Sequence, residues 1–271
     1  MKKVSDKDLK SMELKILLEI DRFCLEHHLR YFLASGTLLG AVRHNGFIPW
    51  DDDIDVMMPR PDYDRFMKEY VSDCFILNYP GKPGYYQSIG KLANKDTVLI
   101  QRTPLADEPI GVHVDILPLD GEPDDVDEYK RHMKTVERLH RHTLIIRQLK
   151  FRSLTLRSAL SCIWLWRTYI PYITLDLNET YAKIEETVHK YAYDESLWVG
   201  YITMCRYGLK QRHKREIFEN TVEVEFEGHV FPAPQGYDEY LRNLFGDYLK
   251  LPPLEKRISH HVWTAYWKLE E

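Results

Sequence analysis

The sequence predicts an α+β fold in which a mixed β-sheet is flanked by helices and followed by a helical C-terminal region. An amphipathic helix pattern opens the chain at residues 6–29, with Ser5 placed to cap its first turn. Short apolar runs bounded by turn residues then alternate with helical patterns, which is typical of strands and helices that share one sheet. Near Gly228, the stretch EVEFEGHVFPAP predicts a β-hairpin.

The remaining elements follow one another along the chain without internal repeats. Pro61 suits the first turn of a helix, where its missing N–H has no partner to lose. Strands are predicted at 31–34, 54–58, 74–79, 85–92, 97–102 and 111–117, and further helices at 37–44, 61–72 and 123–150. The chain is predicted to divide into a core of residues 1–120 and a mainly helical remainder of residues 121–271 that packs on the core.

The composition is that of a globular protein and excludes several classes. The chain has 271 residues, of which 44% are hydrophobic, and its net charge is −5. That balance gives no support for nucleic-acid binding, which favours strongly basic chains. The 4 cysteines form no CxxC pair, so a zinc ribbon is not expected and a reducing cytoplasm is favoured. Charged residues interrupt the apolar positions near the N-terminus, unlike those of a signal peptide.

One apolar and aromatic stretch, residues 149–177, departs from this pattern. Arg157 and Arg167 interrupt it, whereas a membrane-spanning helix needs about 20 predominantly apolar residues. Trp164 and Trp166 beside basic residues are typical of a segment that lies in the membrane interface. The alternative is an aromatic core helix whose cationic ends reach solvent. The sequence leaves both interpretations open, and the first predicts peripheral contact with a membrane.

Four acidic residues crowd the start of a predicted strand in the stretch DDDID. Alternate side chains of a strand share a face, so Asp53 and Asp55 point the same way and Asp51 has the same parity. A second apolar strand carries Asp115, which is costly to bury unless it is paired or bound to metal, while Asp120 is expected in a turn. Neighbouring carboxylates repel each other unless a cation lies between them, and hard oxygen ligands suit Mg²⁺ or Mn²⁺.

A turn rich in small residues precedes these acids. Ser35, Gly36 and Thr37 lie between a predicted strand and a predicted helix, whose free N–H groups can bind phosphate oxygens. A phosphate-binding turn, a two-acid strand and a distant third acid together resemble the layout of the nucleotidyltransferase superfamily. A calcium loop of the EF-hand type lacks support, because its ligand series and terminal Glu are absent. An ordinary solvated acidic turn and a phosphatase-like DxD motif are the remaining alternatives.

Two stretches, GTLLGAVRHNGFIPWDDDIDV and MPRPDYDRF, closely resemble the LicD family. The likeness continues more loosely through IGKLANKDT, HVDILPLDG and FPAPQGYDEYLRNLFGDYLKLPP, whereas residues 125–200 show no clear match. The resemblance implies a nucleotidyltransferase-like core that uses a divalent metal, Mg²⁺ or Mn²⁺. It also implies transfer of phosphocholine from CDP-choline to a sugar hydroxyl of a lipid-linked teichoic acid or another cell-surface polysaccharide precursor, with release of CMP.

The resemblance also implies roles for the acids. Asp53, Asp55 and Asp115 are implied to be catalytic residues that hold the metal, and Asp51 is an additional candidate ligand. Asp115 is the expected base for the acceptor hydroxyl, because its carboxylate would lie between metal and nucleophile. The turn at residues 35–37 is expected to hold phosphate oxygens of the donor.

Further residues are predicted to bind the substrate. Lys91 is the first choice for the donor diphosphate, with Arg43 and Arg102 as alternatives, although a single cation of this kind is more often a surface charge. Choline is a quaternary ammonium, and aromatic rings bind such cations through cation–π attraction. Trp50 beside the acids and Tyr85 before the Lys91 strand are the candidate rings, although most aromatic residues belong to the core.

Other functions compete with this one. The donor could be a CDP-activated ribitol or ethanolamine, or the enzyme could transfer the CMP half of a nucleotide. A non-catalytic metal- and saccharide-binding protein is a further alternative, although such a module has no need for converging acids beside a phosphate-binding turn. The family implies a location in the cytoplasm, at the inner face of the cell membrane, where residues 121–271 would bind the acceptor.

Overall fold

The computed structural model describes residues 1–85, 87–101, 110–151, 176–202, 208–259 and 263–268. Helices in these ranges are α1 (Asp6–His27), α2 (Ser35–His44), α3 (Arg60–Glu69), α4 (Val126–Phe151), α5 (Leu177–Val188) and α6 (Tyr237–Phe245). Strands are β1 (Phe32–Leu33), β2 (Asp55–Pro59), β3 (Phe75–Asn78), β4 (Gly90–Asn94), β5 (Thr97–Gln101), β6 (His113–Glu122), β7 (Trp198–Gly200), β8 (Arg212–Lys214), β9 (Thr221–Phe226), β10 (His229–Pro234) and β11 (Trp263–Trp267). The predicted α+β class is confirmed.

The main sheet is mixed, as predicted. Its strands lie in the order β1-β2-β6-β4-β3, and β7 pairs with the far end of β6 and with β8. β2 and β6 run parallel, whereas the other neighbouring pairs of this sheet run antiparallel. β9 and β10 form a separate two-stranded hairpin, and β11 returns to pair with β5. The parallel pair places the starts of β2 and β6 side by side, which is where the acidic residues lie.

Local signals in the sequence explain where α1 begins and ends. The Ser5 side chain accepts a hydrogen bond from the Asp8 N–H at 3.1 Å, which caps the first turn. His28 takes a left-handed conformation with φ of 55° and ends the helix. The apolar stripe, which includes Ile16 and Ile20, is buried against the sheet. The helix predicted at residues 6–29 is therefore confirmed.

One hydrophobic core contains residues from both sides of position 120. It includes Leu17, Ile54 and Phe66 together with Phe218 and Leu241 from the C-terminal third. Burial of a large apolar side chain stabilises a fold by about 1.5–3 kcal/mol. A second, smaller cluster lies between α4 and α5. The division into a core and a helical remainder at this position stays a prediction.

The hairpin predicted around Gly228 is confirmed. β9 and β10 are joined by a two-residue turn in which Glu227 and Gly228 have φ of 51° and 77°. Two consecutive residues with positive φ match the twist of the flanking strands, which explains the glycine. The Glu227 carboxylate accepts a hydrogen bond from the Phe47 N–H at 3.1 Å, and the rings of Phe47 and Phe226 lie 5.0 Å apart. The hairpin therefore packs against the chain that leads into the acidic residues.

Asp120 corrects one expectation, which placed it in a turn. It lies in β6 opposite Gly200 of β7, and it is fully buried. Arg60 of α3 donates a hydrogen bond from Nε to the Asp120 carboxylate at 2.6 Å, and its guanidinium lies 3.5 Å from Glu185 of α5. The strand extends past its predicted end because β7 provides backbone partners and the arginine compensates the buried charge.

Within the described ranges, no helix is both long and apolar enough to cross a membrane. Residues 152–175, which make up most of the aromatic stretch at 149–177, lie outside these ranges. The interfacial interpretation of that stretch therefore stays a prediction.

Candidate active site

A cavity of about 530 Å³ lies at the starts of β2 and β6. Most of the residues that the sequence predicted for the site line it: Ser35, Gly36, Arg43, Trp50, Asp51, Asp53, Asp55 and Asp115. They come from α2, from the loop after it and from the two parallel strands. The topology of the sheet thus brings the acidic stretch and the glycine turn to one place.

Two of the predicted acids face each other across neighbouring strands. Asp55 of β2 and Asp115 of β6 are direct partners in the parallel register, which confirms that the two acidic strands are adjacent. Burial raises the pKa of the Asp55 carboxyl well above its usual range, and the charges of Asp53 and Asp115 raise it further. Repelling carboxylates that converge on one cavity provide the electrostatic setting in which a bound cation is stabilising.

Lys91 lies behind the acids and does not line the cavity. It is the cross-strand partner of Asp115, and its Nζ lies 2.5 Å from the Asp115 carboxylate and 2.8 Å from His113 Nε2. Burial alone would raise the pKa of Asp115, but the charge of Lys91 and the hydrogen bond with His113 outweigh it and lower that pKa. Lys91 therefore holds Asp115 ionised, in place of the predicted contact with the donor diphosphate.

This pairing also bears on the role of Asp115. A carboxylate that a lysine holds in its charged form is a weak proton acceptor, because protonation would break the ion pair. The geometry favours the role of Asp115 as an oxygen ligand over its expected role as the base.

Residues 35–37, which the sequence predicted as a turn, form the start of α2 and position the acids. The Thr37 hydroxyl accepts a hydrogen bond from the Asp55 N–H at 2.8 Å, and Thr37 itself is buried. The Ser35 N–H donates to the Tyr240 hydroxyl at 3.2 Å, and Ser35 has a positive φ of 46°. The Ser35 N–H and the Thr37 hydroxyl, which the sequence predicted to bind phosphate oxygens, are therefore engaged within the protein. Thr37 therefore acts through Asp55, whereas Ser35 still lines the cavity.

Gly36 allows the Asp51 carboxylate to approach the N-terminus of α2. A Cβ atom added at Gly36 would lie 2.8 Å from Asp51 Oδ2, closer than real side chains approach. A negative charge at this end of a helix is favoured, because the free N–H groups carry partial positive charge. The carboxylate of Asp51 thus lies where the sequence predicted a phosphate. Asp52 points elsewhere, as the parity predicted, and accepts a hydrogen bond from the Ser259 hydroxyl at 2.9 Å.

The donor atoms at the site suit a hard divalent cation. Asp53 and Asp55 offer carboxylate oxygens to the cavity, and Asp115 lies beside them. Within the described residues, no three Asp, Glu, His or Cys side chains are arranged so that they could hold a metal ion together. The fit to Mg²⁺ or Mn²⁺ thus rests on the chemistry of the donors, because Asp53 and Asp55, with Asp115 and Asp51 as further candidates, offer hard carboxylate oxygens.

The other predicted binding residues have different outcomes. Arg43 and Trp50 line the cavity. Tyr85 is buried and its hydroxyl donates to the Ile89 carbonyl at 2.6 Å, so it supports the chain before β4 and does not line the cavity. Arg102 lies outside the described residues. The position of Tyr85 gives no support to its predicted role as the choline-binding ring, which stays a prediction.

The site also contains residues that the sequence did not single out. Tyr201 lines the cavity after β7, and its buried hydroxyl has no hydrogen-bond partner among the described residues. Glu13 of α1 is buried near the acids, and burial followed by the charge of Asp53 raises its pKa well above the usual range. Lys250 and Lys256 line the cavity from the segment between α6 and β11. In the sequence, Pro252 and Pro253 between these two lysines indicate a loop, but no local pattern marks the lysines themselves as part of the site.

Comparisons with known proteins agree with this geometry. A family model described as LicD/FKTN/FKRP, nucleotidyltransferase domain, matches residues 28–158, which include the predicted acids. The chain is 30% identical over 98% of its length to the lipopolysaccharide cholinephosphotransferase LicD of Haemophilus influenzae, of which it covers 99%. An uncharacterized protein of Rickettsia typhi is 35% identical over 66 residues, which are 24% of this chain and 21% of that protein. The Haemophilus protein aligns from end to end, so the likeness extends well beyond the acidic motif.

Proposed function

The chain belongs to the LicD family and is a phosphotransferase, and we propose that it transfers phosphocholine from CDP-choline to a sugar hydroxyl of a cell-surface glycan, with release of CMP. The observation that supports this function best is the cavity in which Asp53, Asp55 and Asp115 converge, inside the range that the family model matches. The Haemophilus relative is named a lipopolysaccharide cholinephosphotransferase. The proposed acceptor is therefore a lipopolysaccharide precursor, with a teichoic acid precursor as the alternative.

In the proposed reaction, the acceptor oxygen forms a bond to the phosphorus of the phosphocholine group while the bond from that phosphorus to the CMP oxygen breaks. The acceptor hydroxyl gives its proton to solvent water, and CMP leaves with the electron pair of the broken bond. Such chemistry depends mostly on positioning and on neutralising charge. Asp53 and Asp55 would hold Mg²⁺ or Mn²⁺, with Asp115 and Asp51 as further ligands. When bound, the metal supplies positive charge to the donor diphosphate.

The surrounding residues keep the reacting groups in place. Thr37 fixes the backbone of Asp55, while Lys91 holds the side chain of Asp115. Burial raises the pKa of Tyr201 well above its usual range, and the nearby charges of Asp115 and Asp55 raise it further. Tyr201 therefore stays neutral and keeps a hydroxyl hydrogen to donate to a phosphate or acceptor oxygen in the cavity.

With Mg²⁺ and a saccharide acceptor, we expect the purified protein to release CMP faster from CDP-choline than from CDP-ethanolamine or CDP-ribitol. Chromatographic measurement of CMP with each donor, with and without EDTA, tests the donor and the metal together. Faster CMP release from another donor would show that the transferred alcohol is not choline but the alcohol of that donor. CMP release that EDTA does not affect would contradict metal dependence. Formation of diphosphate from CTP would indicate transfer of the CMP half, and binding without turnover would favour the non-catalytic alternative.

The protein is proposed to meet its lipid-linked acceptor at the inner face of the cell membrane through residues 149–177. Their tryptophans beside basic residues suit the interface, where amphipathic rings and cations are both favoured. We expect wild-type protein to sediment with anionic liposomes and the Trp164→Ala/Trp166→Ala variant to remain largely in the supernatant. Turnover with a water-soluble acceptor should stay unchanged and serves as the control for folding. Equal sedimentation of both proteins would refute the interfacial role.

A further inference from the structure

A group of cations belongs to the same cavity as the acids. Arg43 of α2 lines it, as do Lys250 and Lys256 from the segment between α6 and β11. Arg257 adjoins them, with its guanidinium 5.5 Å from the ring centre of Trp50, which also lines the cavity. Within the described part of the chain, none of these cations forms an ion pair with a carboxylate. Their charge is therefore available to a ligand.

Backbone carbonyls hold both arginines in place. Arg43 donates from Nη1 to the Tyr248 carbonyl at 2.7 Å, and from Nε to His44 Nδ1 at 3.4 Å. Arg257 donates from Nε to the Pro252 carbonyl at 2.8 Å. A guanidinium has five N–H groups, so each arginine keeps donors for a further partner. The two side chains are thus fixed in direction without being saturated.

The two guanidinium groups are close enough to affect each other. Partial burial lowers the pKa of Arg43, and the charge of Arg257 lowers it further. Asp247 lines the same cavity, yet it forms no ion pair with either arginine within the described residues. Like charges held together in this way are stabilised when an anion binds between them. The two neighbouring guanidinium groups therefore favour the binding of an anionic group.

We propose that Arg43 and Arg257 bind the diphosphate group of the nucleotide donor, with the exposed Lys250 and Lys256 as additional cations. The identity of the donor rests on the proposed function, whereas the binding site itself requires only a diphosphate. Planar guanidinium groups suit phosphate oxygens because they can form paired, charge-assisted hydrogen bonds. The same cavity thus has acids that suit a metal and cations that balance the charge of the phosphates.

Calorimetric titration with CDP, and separately with pyrophosphate, tests this site in the presence of Mg²⁺. We expect Arg257→Gln and Arg43→Gln each to weaken binding of both probes about 10- to 100-fold, because each loses charge-assisted hydrogen bonds. Affinity for cytidine, which has no phosphate, should stay at the wild-type value. Arg65→Gln is the matched control, since Arg65 is a half-exposed arginine of α3 that pairs with Glu69.

Folding is checked independently of binding. The thermal midpoint of unliganded Arg257→Gln protein is expected not to fall, because the substitution relieves the repulsion of Arg43. In the double variant, the losses of binding free energy for CDP and pyrophosphate should not add, since both arginines bind the same diphosphate group. Wild-type affinity for CDP and pyrophosphate in both single variants would overturn the proposal. An equal loss of cytidine binding would also overturn it, because that result indicates a general structural role.

The experiment separates this inference from the proposed function. Loss of CDP and pyrophosphate binding in the variants supports the diphosphate site even if the wild-type protein does not consume CDP-choline, in which case the assigned donor is wrong. Phosphocholine transfer by the wild type, combined with unchanged affinities in both variants, leaves the proposed function standing and rejects the diphosphate site.

Discussion

Asp55→Asn is expected to abolish most CMP release while it raises the thermal midpoint of the protein. Asparagine keeps the shape of the side chain and removes a charge that would hold the metal. Loss of a residue that only orients a metal ligand typically costs about 10- to 100-fold in activity, so loss of the ligand should cost at least about 100-fold. Burial and the charges of Asp53 and Asp115 raise the pKa of Asp55 in the folded state, so its ionised form costs stability at neutral pH. Removal of that charge should therefore stabilise the fold.

Three measurements on this variant give separate information. CMP release reports the reaction, Mn²⁺ titration followed by electron paramagnetic resonance reports the metal, and thermal unfolding reports the fold. Asp73→Asn, in the exposed loop before β3, is the matched control and should match the wild type in all three. Wild-type Mn²⁺ affinity in the Asp55 variant would show that the metal assignment is wrong. A lower thermal midpoint would contradict the argument from charge repulsion.

Asp120→Asn is expected to lower the free energy of unfolding by about 3 kcal/mol, a large part of the about 5–15 kcal/mol that a typical protein has. The substitution leaves the buried Arg60 guanidinium without its main carboxylate partner. Removal of one partner of a buried ion pair costs about 3–5 kcal/mol, and we expect the lower end of that range. The reason is that Asp64 and Glu185 also lie 3.6 Å and 3.5 Å from Arg60.

Urea unfolding at neutral pH measures this effect. Burial raises the pKa of Asp120 to about 6, so the wild-type pair is ionised under these conditions. Glu26→Gln, which breaks an exposed pair with Arg22, is the control and should cost less than about 1 kcal/mol. Arg60→Met combined with Asp120→Leu should recover most of the lost stability, because both buried charges are then absent. If Asp120→Asn lowers the free energy of unfolding as little as Glu26→Gln does, the argument from the buried ion pair is wrong.

The acidic part of the site could be predicted from the sequence because it depends on local properties. Strand parity places Asp53 and Asp55 on one face, and an acid within an apolar strand identifies Asp115. The same is true of α1, whose cap and apolar stripe lie within a few turns of each other. The turn at Gly228 is likewise local, because its conformation depends on two adjacent residues.

The remaining parts could not be predicted because they depend on contacts between distant segments. Lys91 has the sequence context of a phosphate ligand, but its cross-strand partner turns it towards Asp115. Arg43 is held by a carbonyl 205 residues further along the chain, and no local pattern relates it to Arg257. Asp120 continues a strand because β7 pairs with its backbone and Arg60 of α3 compensates its buried charge.

The return of β11 to β5 has a consequence for the order in which the protein assembles. The segment that carries Lys250, Lys256 and Arg257 is held at one end by the bond from Arg43 to the Tyr248 carbonyl and is followed by β11. Contacts between residues so far apart in the chain tend to form late, because closing a long loop is entropically costly. A partly folded chain would therefore present the acids and Arg43 without Lys250, Lys256 and Arg257. We therefore expect the proposed diphosphate site to be complete only once β11 has paired with β5, so that diphosphate binding would report complete folding.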